Sequence, residues 1–290
     1  MLWKLYTFEK KSTTNNVIMF LFIEIIEDFL IGLCIGSFLN VVIFRLPNKM
    51  SLLRPRSFCP ECKNTISWRS NFPLLSFLVQ KGKCSFCRTR ISFRYPFIEF
   101  ITGSLFVIYA NSSPYLYSFN LDNPLEKIFT WFLLSILIAI SFIDFDNFWI
   151  PQSLINSGFF IGLINLLNVE LFGSDLSNES FFLKGIFASL GAYLFFECLR
   201  ITARFFFKKD ALGKGDSKLV AMMALWLGPI GISLGIGIAY IIAAIFLLIS
   251  FQLKKMKKGQ LIPFAPFLSM GGLIVWYFGN EFLINFLYGI

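Results

Sequence analysis

Residues 213–251 read GKGDSKLVAMMALWLGPIGISLGIGIAYIIAAIFLLISF. A short glycine-rich loop with one aspartate leads here into an apolar run much longer than the ~20 residues that a helix needs to cross a bilayer. Pro and Gly at Gly228-Pro-Ile-Gly231 are residues that interrupt helices, so the run predicts two membrane spans, the first of them short. The stretch therefore predicts a helical membrane protein with an acidic group at the membrane edge.

Composition extends this prediction to the whole chain. Hydrophobic residues make up 56% of the 290 residues and charged residues only 15%, whereas about a quarter of a soluble domain is charged. Further apolar runs bring the total to about eight transmembrane helices, and they lie at residues 17–44, 95–111, 128–143, 152–172, 183–204 and 262–288. We therefore predict an all-α polytopic membrane protein.

The distribution of basic residues predicts the orientation, because Lys and Arg near span ends stay in the cytoplasm. Placing residues 45–94 inside leaves 21 of the 26 basic residues at cytoplasmic loops and span edges, with both termini outside. The chain then divides into a short tail (1–16), a first transmembrane helix (17–44), a cytoplasmic domain (45–94) and a transmembrane helical core (95–290). Met1 and Met19 are alternative starts.

Four cysteines in the cytoplasmic domain form two pairs, Cys59-Pro-Glu-Cys62 and Cys84-Ser-Phe-Cys87, separated by 21 residues. Two CxxC pairs at this spacing are typical of a closed tetrahedral zinc site, which has no open position for a catalytic water. A pair of redox dithiols is the alternative. A segment of this size without a long periodic pattern would take much of its folding free energy from the metal. Cys34 and Cys198 lie in apolar runs, so we expect buried thiols there.

The cytoplasmic domain is strongly basic, with 11 Lys and Arg residues against the single acid Glu61. Anionic lipid attracts basic residues near the membrane surface by about 1 kcal/mol each. The domain carries no stacking or base-reading pattern, so we expect anionic membrane lipid and not nucleic acid as its partner.

The chain contains no histidine. This excludes Ser-His-Asp and Cys-His catalytic units, HExxH zinc sites and any imidazole base. Proton transfer must then fall to carboxylates, Lys, Tyr, Cys or bound water.

Placing a carboxylate within or beside a membrane span costs free energy, so each such residue is a candidate functional group. We expect Glu24, Glu27 and Asp28 at the membrane interface, and structural pairing of Glu99 and Glu197 with Lys or Arg. The others are Asp144, Asp146 and Asp216.

Asp144 and Asp216 differ from these acids because both stand at helix ends at the same predicted cytoplasmic depth. Gly213 and Gly215 give the loop before Asp216 a backbone that can closely approach a peptide or a second carboxylate. A phosphate-binding turn is the alternative for this GxGD sequence, but no Walker or Rossmann context accompanies it. Two carboxylates at close range share one proton, so the pair predicts an aspartic protease.

Several motifs together resemble the type IV prepilin peptidases, which are GxGD intramembrane aspartyl proteases. Besides the two CxxC pairs and Gly213-Lys-Gly215-Asp216, the resemblance rests on Gly36-Ser-Phe-Leu-Asn40-Val-Val-Ile-Phe-Arg45-Leu-Pro47, Gly82-Lys83-Cys84, Ile91-Ser-Phe-Arg94-Tyr-Pro96-Phe-Ile-Glu99, Ile143-Asp144 and Ile150-Pro151. It covers residues 30–272.

The resemblance implies a bifunctional enzyme of the bacterial inner membrane. Such an enzyme removes the leader of type IV prepilins and pseudopilins at the cytoplasmic face, then methylates the new N-terminus with S-adenosylmethionine. The family's catalytic aspartates correspond to Asp144 and Asp216, with Asp146 as a solvated neighbour. Its zinc ligands correspond to Cys59, Cys62, Cys84 and Cys87. The residues that bind S-adenosylmethionine do not follow from the sequence, nor does the oligomeric state.

One departure from the family pattern lies in Pro263-Phe-Ala265-Pro-Phe, where Gly is expected in place of Ala265. We expect this change to affect packing more than chemistry.

Two other functions fit parts of the sequence. The first is a different intramembrane aspartyl protease, similar to presenilin or signal peptide peptidase, although the cysteine pairs and GSFLNVVIFRLP argue against it. The second is a transporter or channel in which Asp144 and Asp216 bind a coupling ion, although the inverted repeats common in transporters are not found.

Overall fold

The structure is a computed structural model that describes residues 2–111, 124–172, 180–208, 213–254 and 261–289. The chain forms two compact units. One comprises Met1–Asn40 with Pro55–Asn111, and the other comprises Val41–Arg54 with Ser112–Ile290.

All the regular elements of the described residues are helices, and two isolated β-bridges are the only β-pairing among them, Phe58 with Thr65 and Lys83 with Arg90. A 3-10 turn spans Trp68–Asn71. The helices are α1 (Leu2–Arg45), α2 (Leu75–Val79), α3 (Arg94–Asn111), α4 (Pro124–Asn147), α5 (Gln152–Phe172), α6 (Phe181–Phe207), α7 (Lys214–Gln252), α8 (Ala265–Phe278) and α9 (Asn280–Tyr288). The predicted all-α class is confirmed.

Five of the described helices are long and apolar enough to cross a membrane. They are Phe22–Arg45, Leu125–Asn147, Gln152–Leu171, Phe181–Phe206 and Lys214–Gln252. A sixth is present if α8 and α9, which meet at 98°, count as one broken span. The chain is therefore a multi-pass membrane protein. The predicted span at 95–111 corresponds to α3, which is not among these helices, and the total of eight spans stays a prediction.

The predicted interruption of the longest apolar run is present in α7. Gly228 has φ 69° and ψ −178°, which lie outside the helical region, and Pro229 follows it. A positive φ of this kind is readily adopted by glycine alone. The run consequently forms two helical segments joined at a kink.

The first unit depends on close packing between α1 and α3. A Cβ added to Gly36 would lie 2.7 Å from the Cα of Glu99, and one added to Gly32 would lie 2.6 Å from the Cα of Gly103. Asn40 Nδ2 donates a hydrogen bond to the backbone oxygen of Tyr95 at 3.1 Å. Small residues allow membrane helices to approach this closely, which explains why Gly36 and Asn40 belong to one motif.

The second unit is built around the first half of α7. Every residue from Leu219 to Leu227 is buried, and Trp226 Nε1 donates to the backbone oxygen of Gly158 in α5 at 3.0 Å. Trp226 also meets Trp276 of α8 edge to face, with ring centroids 5.9 Å apart. This packing fixes the first half of α7 against α5 and α8.

Three expectations about burial were wrong. Cys34 and Cys198 are exposed, because an apolar membrane helix presents one face to lipid, and an apolar run does not reveal which face. Asp28 is only 2% exposed, whereas Glu24 and Glu27 are exposed as an interfacial position requires. Successive side chains of a helix point in different directions, so Asp28 lies on a buried face of α1 and Glu27 on an exposed face.

Candidate functional site

Asp144 lies in the last turn of α4 and is only 6% exposed. Its carboxylate oxygen Oδ2 accepts a hydrogen bond from the backbone N–H of Ala265 at 3.1 Å. Ala265 is the first residue of α8, where backbone N–H groups have no partner within the helix. Asp144 supplies that partner, so the beginning of α8 fixes the orientation of the carboxyl group.

Asp216 lies in the first turn of α7, two residues after the helix begins at Lys214. Its backbone N–H donates to the backbone oxygen of Gly213 at 3.2 Å, and its carboxylate accepts a hydrogen bond from the Gly213 backbone. A Cβ added to Gly213 would lie 3.0 Å from Asp216 Oδ2. The loop glycine thus leaves room for the carboxylate at a helix N-terminus, where negative charge is favourable.

The two carboxylates line one cavity of about 960 Å³. The charge of Asp144 acts on Asp216 within it. Tyr240 and the segment 261–264 form other parts of the wall, together with four basic side chains, Arg200, Arg204, Lys214 and Lys218. The structure therefore brings the two predicted aspartates together at the ends of two different helices. A cavity of this size falls within the range of roughly 300–1,000 Å³ that is typical of ligand pockets.

Asp146 lies elsewhere. It is exposed and does not line the cavity. Two residues along a helix turn a side chain by about 200°, since 3.6 residues make one turn. Asp144 and Asp146 therefore face different surroundings.

Gly215 allows the beginning of α7 to approach the segment before α5. A Cβ at this position would lie 3.0 Å from the Cβ of Ile150, which lines the same cavity. The motifs Ile150-Pro151 and Gly213-Lys-Gly215-Asp216 are thus two sides of one contact. A larger residue at 215 would push the helix that carries Asp216 away from this wall.

Two other membrane acids, Glu197 and Glu99, have structural partners. Glu197 pairs with Arg200 at 2.6 Å, which confirms the expected ion pair. The same expectation was wrong for Glu99, whose Oε2 accepts the backbone N–H of Leu74 at 2.8 Å and which also meets Ser37. Leu74 lies in the loop before α2 and has φ 56°, and this conformation places its N–H beside Glu99. Such a loop conformation has no clear signature in the sequence.

We call the cavity that contains Asp144 and Asp216 the acidic cavity. Two residues that contribute to it were not indicated by the sequence. The sequence predicts that Ala265 affects packing more than chemistry, but its backbone N–H contacts Asp144 directly. Any residue except proline provides that group, so side-chain identity gives no indication of it. Tyr240 lies beyond the kink of α7 and enters the cavity through tertiary packing.

The four cysteines of the two CxxC pairs form one cluster. Their sulfur atoms lie within 4.8 Å of one another, so they can hold a metal ion. Both pairs have the same backbone pattern, in which the N–H of Cys59 donates to Asn64 O and the N–H of Cys84 donates to Thr89 O, each at 2.9 Å. Lys63 and Arg88 occupy equivalent left-handed positions, with φ 61° and 60°. We call these two turns, residues 59–64 and 84–89, the cysteine knuckles.

The electrostatics of the cluster favour a cation. The Thr89 hydroxyl and backbone N–H stabilise the Cys87 thiolate and lower its pKa to about 6. The Asn64 backbone lowers the pKa of Cys62, but desolvation and the neighbouring sulfurs of Cys59 and Cys87 outweigh it and raise that pKa to about 11. Sulfur atoms this close oppose ionisation of all four thiols together, and a bound divalent ion would offset that repulsion.

Two family models match the chain. Residues 30–112 match the Bacterial Peptidase A24 N-terminal domain, and residues 131–248 match the Type IV leader peptidase family. The chain is 33% identical over 287 residues to a Legionella pneumophila protein named prepilin leader peptidase/N-methyltransferase, covering 90% of this chain and 93% of the relative.

Two other similar proteins have related names. A type 4 prepilin-like proteins leader peptide-processing enzyme of Escherichia coli O78:H11 is 34% identical over 85% of this chain and 91% of its own length. A Pseudomonas aeruginosa prepilin leader peptidase/N-methyltransferase is 31% identical over 89% of this chain and 91% of its own length. No solved structure matches.

Proposed function

The chain belongs to the type IV leader peptidase family, and we propose that it cleaves the leaders of type IV prepilins or pseudopilins with Asp144 and Asp216 and then methylates the new N-terminus. Membership makes the chain a peptidase, and the transporter hypothesis is therefore wrong. The observation that carries the proposed mechanism is the cavity shared by the two aspartates.

Peptide hydrolysis in this site uses the two carboxyl groups and one water. The ionised carboxylate takes a proton from water as the oxygen attacks the scissile carbonyl carbon, and the protonated partner donates its hydrogen to the carbonyl oxygen. The tetrahedral intermediate then collapses and the C–N bond breaks, as the first carboxyl group gives the proton taken from water to the leaving nitrogen and a hydroxyl of the intermediate returns a proton to the second carboxylate. This mechanism needs neither an imidazole nor a covalent intermediate. It is therefore compatible with a chain that contains no histidine.

The surroundings of the site support a peptide at the membrane edge. Asp144 ends one apolar helix and Asp216 begins another, and basic residues line the wall beside them. We place this edge at the cytoplasmic face of the bacterial inner membrane, because basic residues near span ends stay inside. A prepilin would then meet the dyad where its basic leader joins its apolar helix.

Ala265 provides a test of how Asp144 is positioned. Ala265→Pro removes the N–H that Asp144 accepts, and we expect cleavage to fall about a hundredfold, since small displacements of a catalytic group have effects of that order. Ala265→Gly retains the N–H and should cleave within a few-fold of the wild type. The measurement is the initial rate of prepilin cleavage by each purified variant.

Thermal unfolding of both variants is measured beside the rates, because proline at 265 also disfavours the helical backbone of Phe264. Equal cleavage by the proline and glycine variants would show that Asp144 does not depend on this hydrogen bond.

Methylation requires a donor, and we propose S-adenosylmethionine. When bound, it supplies a methyl group whose carbon forms a bond to the amine lone pair as the C–S bond breaks, the electron pair returns to sulfur and the amine releases one proton. The task of this chain is to bind the donor and to present the new N-terminal amine without charge.

The metal of the cysteine cluster is proposed to be zinc with a structural role. Four thiolate ligands match the preference of zinc for a closed tetrahedral sulfur site. The cluster would stabilise a segment whose helices are only a few residues long, α2 and the turn Trp68–Asn71. Such a segment has little apolar core of its own.

Co-expression tests the proposed function. A prepilin expressed with this chain should lose its leader and gain 14 mass units at its N-terminus, the mass of one methylene, and intact mass spectrometry with N-terminal fragmentation reports both changes. A prepilin that keeps its leader would refute the proposed peptidase substrate. A leaderless pilin without the added mass would refute methylation alone.

A further inference from the structure

The second unit contains a groove of about 870 Å³ between α6 and the part of α7 that follows the kink. Residues between Ser180 and Phe195 form one wall, and residues between Pro229 and Ile236 form the other. Most of the lining side chains are apolar, and both walls belong to helices that are long and apolar enough to cross a membrane. We call this feature the apolar groove.

The apolar groove and the acidic cavity share one face of α7. Pro229, Ile232 and Ile236 line the apolar groove, and Tyr240 lines the acidic cavity. Successive members of this series are three or four residues apart, so their side chains lie on the same face of the helix. The face of α7 that forms the wall of the groove therefore continues into the cavity of the two aspartates.

Helix α6 connects the same two sites. Its residues up to Phe195 line the apolar groove, whereas Arg200 and Arg204 near its end line the acidic cavity. The helix rises by about 30 Å between Lys184 in the groove and Arg204 in the cavity, at 1.5 Å per residue. This length equals the thickness of the hydrocarbon core of a bilayer, about 30 Å. The groove and the cavity together thus follow α6 across the membrane.

We propose that the apolar groove binds the transmembrane helix of the prepilin while the cleavage site of the prepilin lies in the acidic cavity. The inference rests on the proposed function and identifies the surface that would hold the membrane-embedded part of the substrate. A lipid acyl chain is also apolar, but it gains nothing from a path that leads to two carboxyl groups. A substrate whose apolar helix adjoins the cleaved bond requires such a path.

Gly191 leaves space in the apolar groove for another helix. A Cβ added to Gly191 would have no described atom within 4 Å, whereas one added to Gly185 on the same helix would lie 2.6 Å from Leu166 Cδ1. Packing among the described residues therefore requires a small residue at 185 but not at 191. Ala188 and Ala192 also line the groove. Small residues allow membrane helices to approach closely, so this part of the groove can accept a helix of another chain.

Aromatic side chains flank these small residues. Phe187 and Phe195 line the apolar groove and are 67% and 57% exposed. Helices in a membrane associate through van der Waals packing, because lipid is as apolar as the helices themselves. A concave surface with small residues between large exposed rings offers a bound helix more packing than a flat surface does.

Photochemical crosslinking tests the occupant of the apolar groove directly. The full-length Asp216→Asn chain is co-expressed with a prepilin, with p-benzoylphenylalanine in place of Phe187. Phe160 in α5 is the matched control position, because it is also 67% exposed but does not line the groove. We expect position 187 to crosslink to the apolar helix of the prepilin at least tenfold more than position 160. Mass spectrometry of the crosslinked peptides identifies the partner.

Gly191→Leu tests whether the apolar groove contributes to cleavage. Leucine would fill the groove, since no described atom lies near the added Cβ, and overpacking of a fitted contact weakens it. Gly237→Leu is the matched control, because Gly237 also has no described atom within 4 Å of an added Cβ but lines neither the groove nor the acidic cavity. Thermal unfolding of both variants is measured beside the rates.

The measurement is kcat/KM for full-length prepilin divided by kcat/KM for a peptide that spans the cleavage site but lacks the apolar helix. We expect this ratio to fall about tenfold in Gly191→Leu, because only the full-length substrate places a helix in the groove. The ratio for Gly237→Leu should stay within twofold of the wild type. A general loss of structure would lower both rates and leave the ratio unchanged.

The outcomes separate the groove from the proposed function. Crosslinks from position 187 only to phospholipid, or only to a second copy of this chain, would overturn the proposed occupant. An unchanged ratio in Gly191→Leu would overturn the contribution of the groove to cleavage, while leader removal by the wild type would leave the function standing. A wild type that cleaves neither substrate would refute the proposed function, and the crosslinks would still decide whether the groove holds the prepilin helix.

Discussion

Asp216→Asn is expected to abolish prepilin cleavage, with a loss of about 10³-fold or more. Asparagine has nearly the shape of aspartate but can neither share the proton of the dyad nor take one from water, and general acid–base catalysis contributes 10²–10⁴-fold. Asp216 stands in the first turn of α7 and shares its cavity with Asp144. The measurement is the rate of leader removal by the purified variant, with the pilin N-terminus identified by mass.

Asp144→Asn should cause a similar loss. Residues that act as a unit have strongly non-additive effects, so the double variant should be no slower than the slower single one. Asp146→Asn is the matched control, because this neighbouring aspartate is exposed and lies outside the cavity. It should cleave normally.

The cleavage variants must also keep their structure. Helical content and zinc content should match the wild type, since the cavity of the dyad belongs to the second unit and the cysteine cluster to the first. Normal processing by Asp216→Asn, or a loss in Asp146→Asn equal to that in Asp144→Asn, would refute the proposed dyad.

Cys62→Ser is expected to remove most of the bound metal. The variant leaves three thiolates in a cluster whose four sulfur atoms now lie within 4.8 Å of one another, and a structural zinc site depends on all four ligands. Because metal binding and folding are coupled in small domains of this kind, residues 55–93 should also become sensitive to protease. Metal analysis and limited proteolysis of the purified chain measure the two effects.

Cys198→Ser is the matched control for this experiment. Cys198 is an exposed cysteine outside the cluster, and its replacement should leave the metal content at the wild-type level. Full zinc content in Cys62→Ser together with wild-type protease resistance would contradict the structural metal site. A wild-type protein in which the two pairs form disulfides and hold no metal would support redox dithiols.

The cysteine site illustrates how much a sequence pattern can establish. Two CxxC pairs at a fitting distance predicted a single four-sulfur cluster, and the structure confirms that the sulfur atoms meet. The local turns explain this success, since each knuckle is stabilised by hydrogen bonds within six residues. Short-range geometry of this kind follows directly from residue order.

Burial and hydrogen bonding in the spans were less predictable. The sequence indicated that Glu99, Asp28 and Cys198 lie in or beside apolar runs, but their partners and exposure depend on helix rotation. Leu74 reaches Glu99 through a loop with φ 56°, and Ala265 reaches Asp144 from the beginning of another helix. Backbone donors have no side-chain signature, so no sequence pattern could reveal these contacts.

Residue order alone determined the membrane-helical class, the four clustered cysteines, the interruption at Gly228 and the two candidate aspartates, because hydropathy, cysteine spacing and backbone preference are local properties. Tertiary structure decided that Asp144 and Asp216 face one cavity, that Ala265 orients one of them, and that the apolar groove and the acidic cavity share one face of α7. These features join residues far apart in the chain. They arise only when close packing at small residues sets the rotation and depth of each helix against its neighbours.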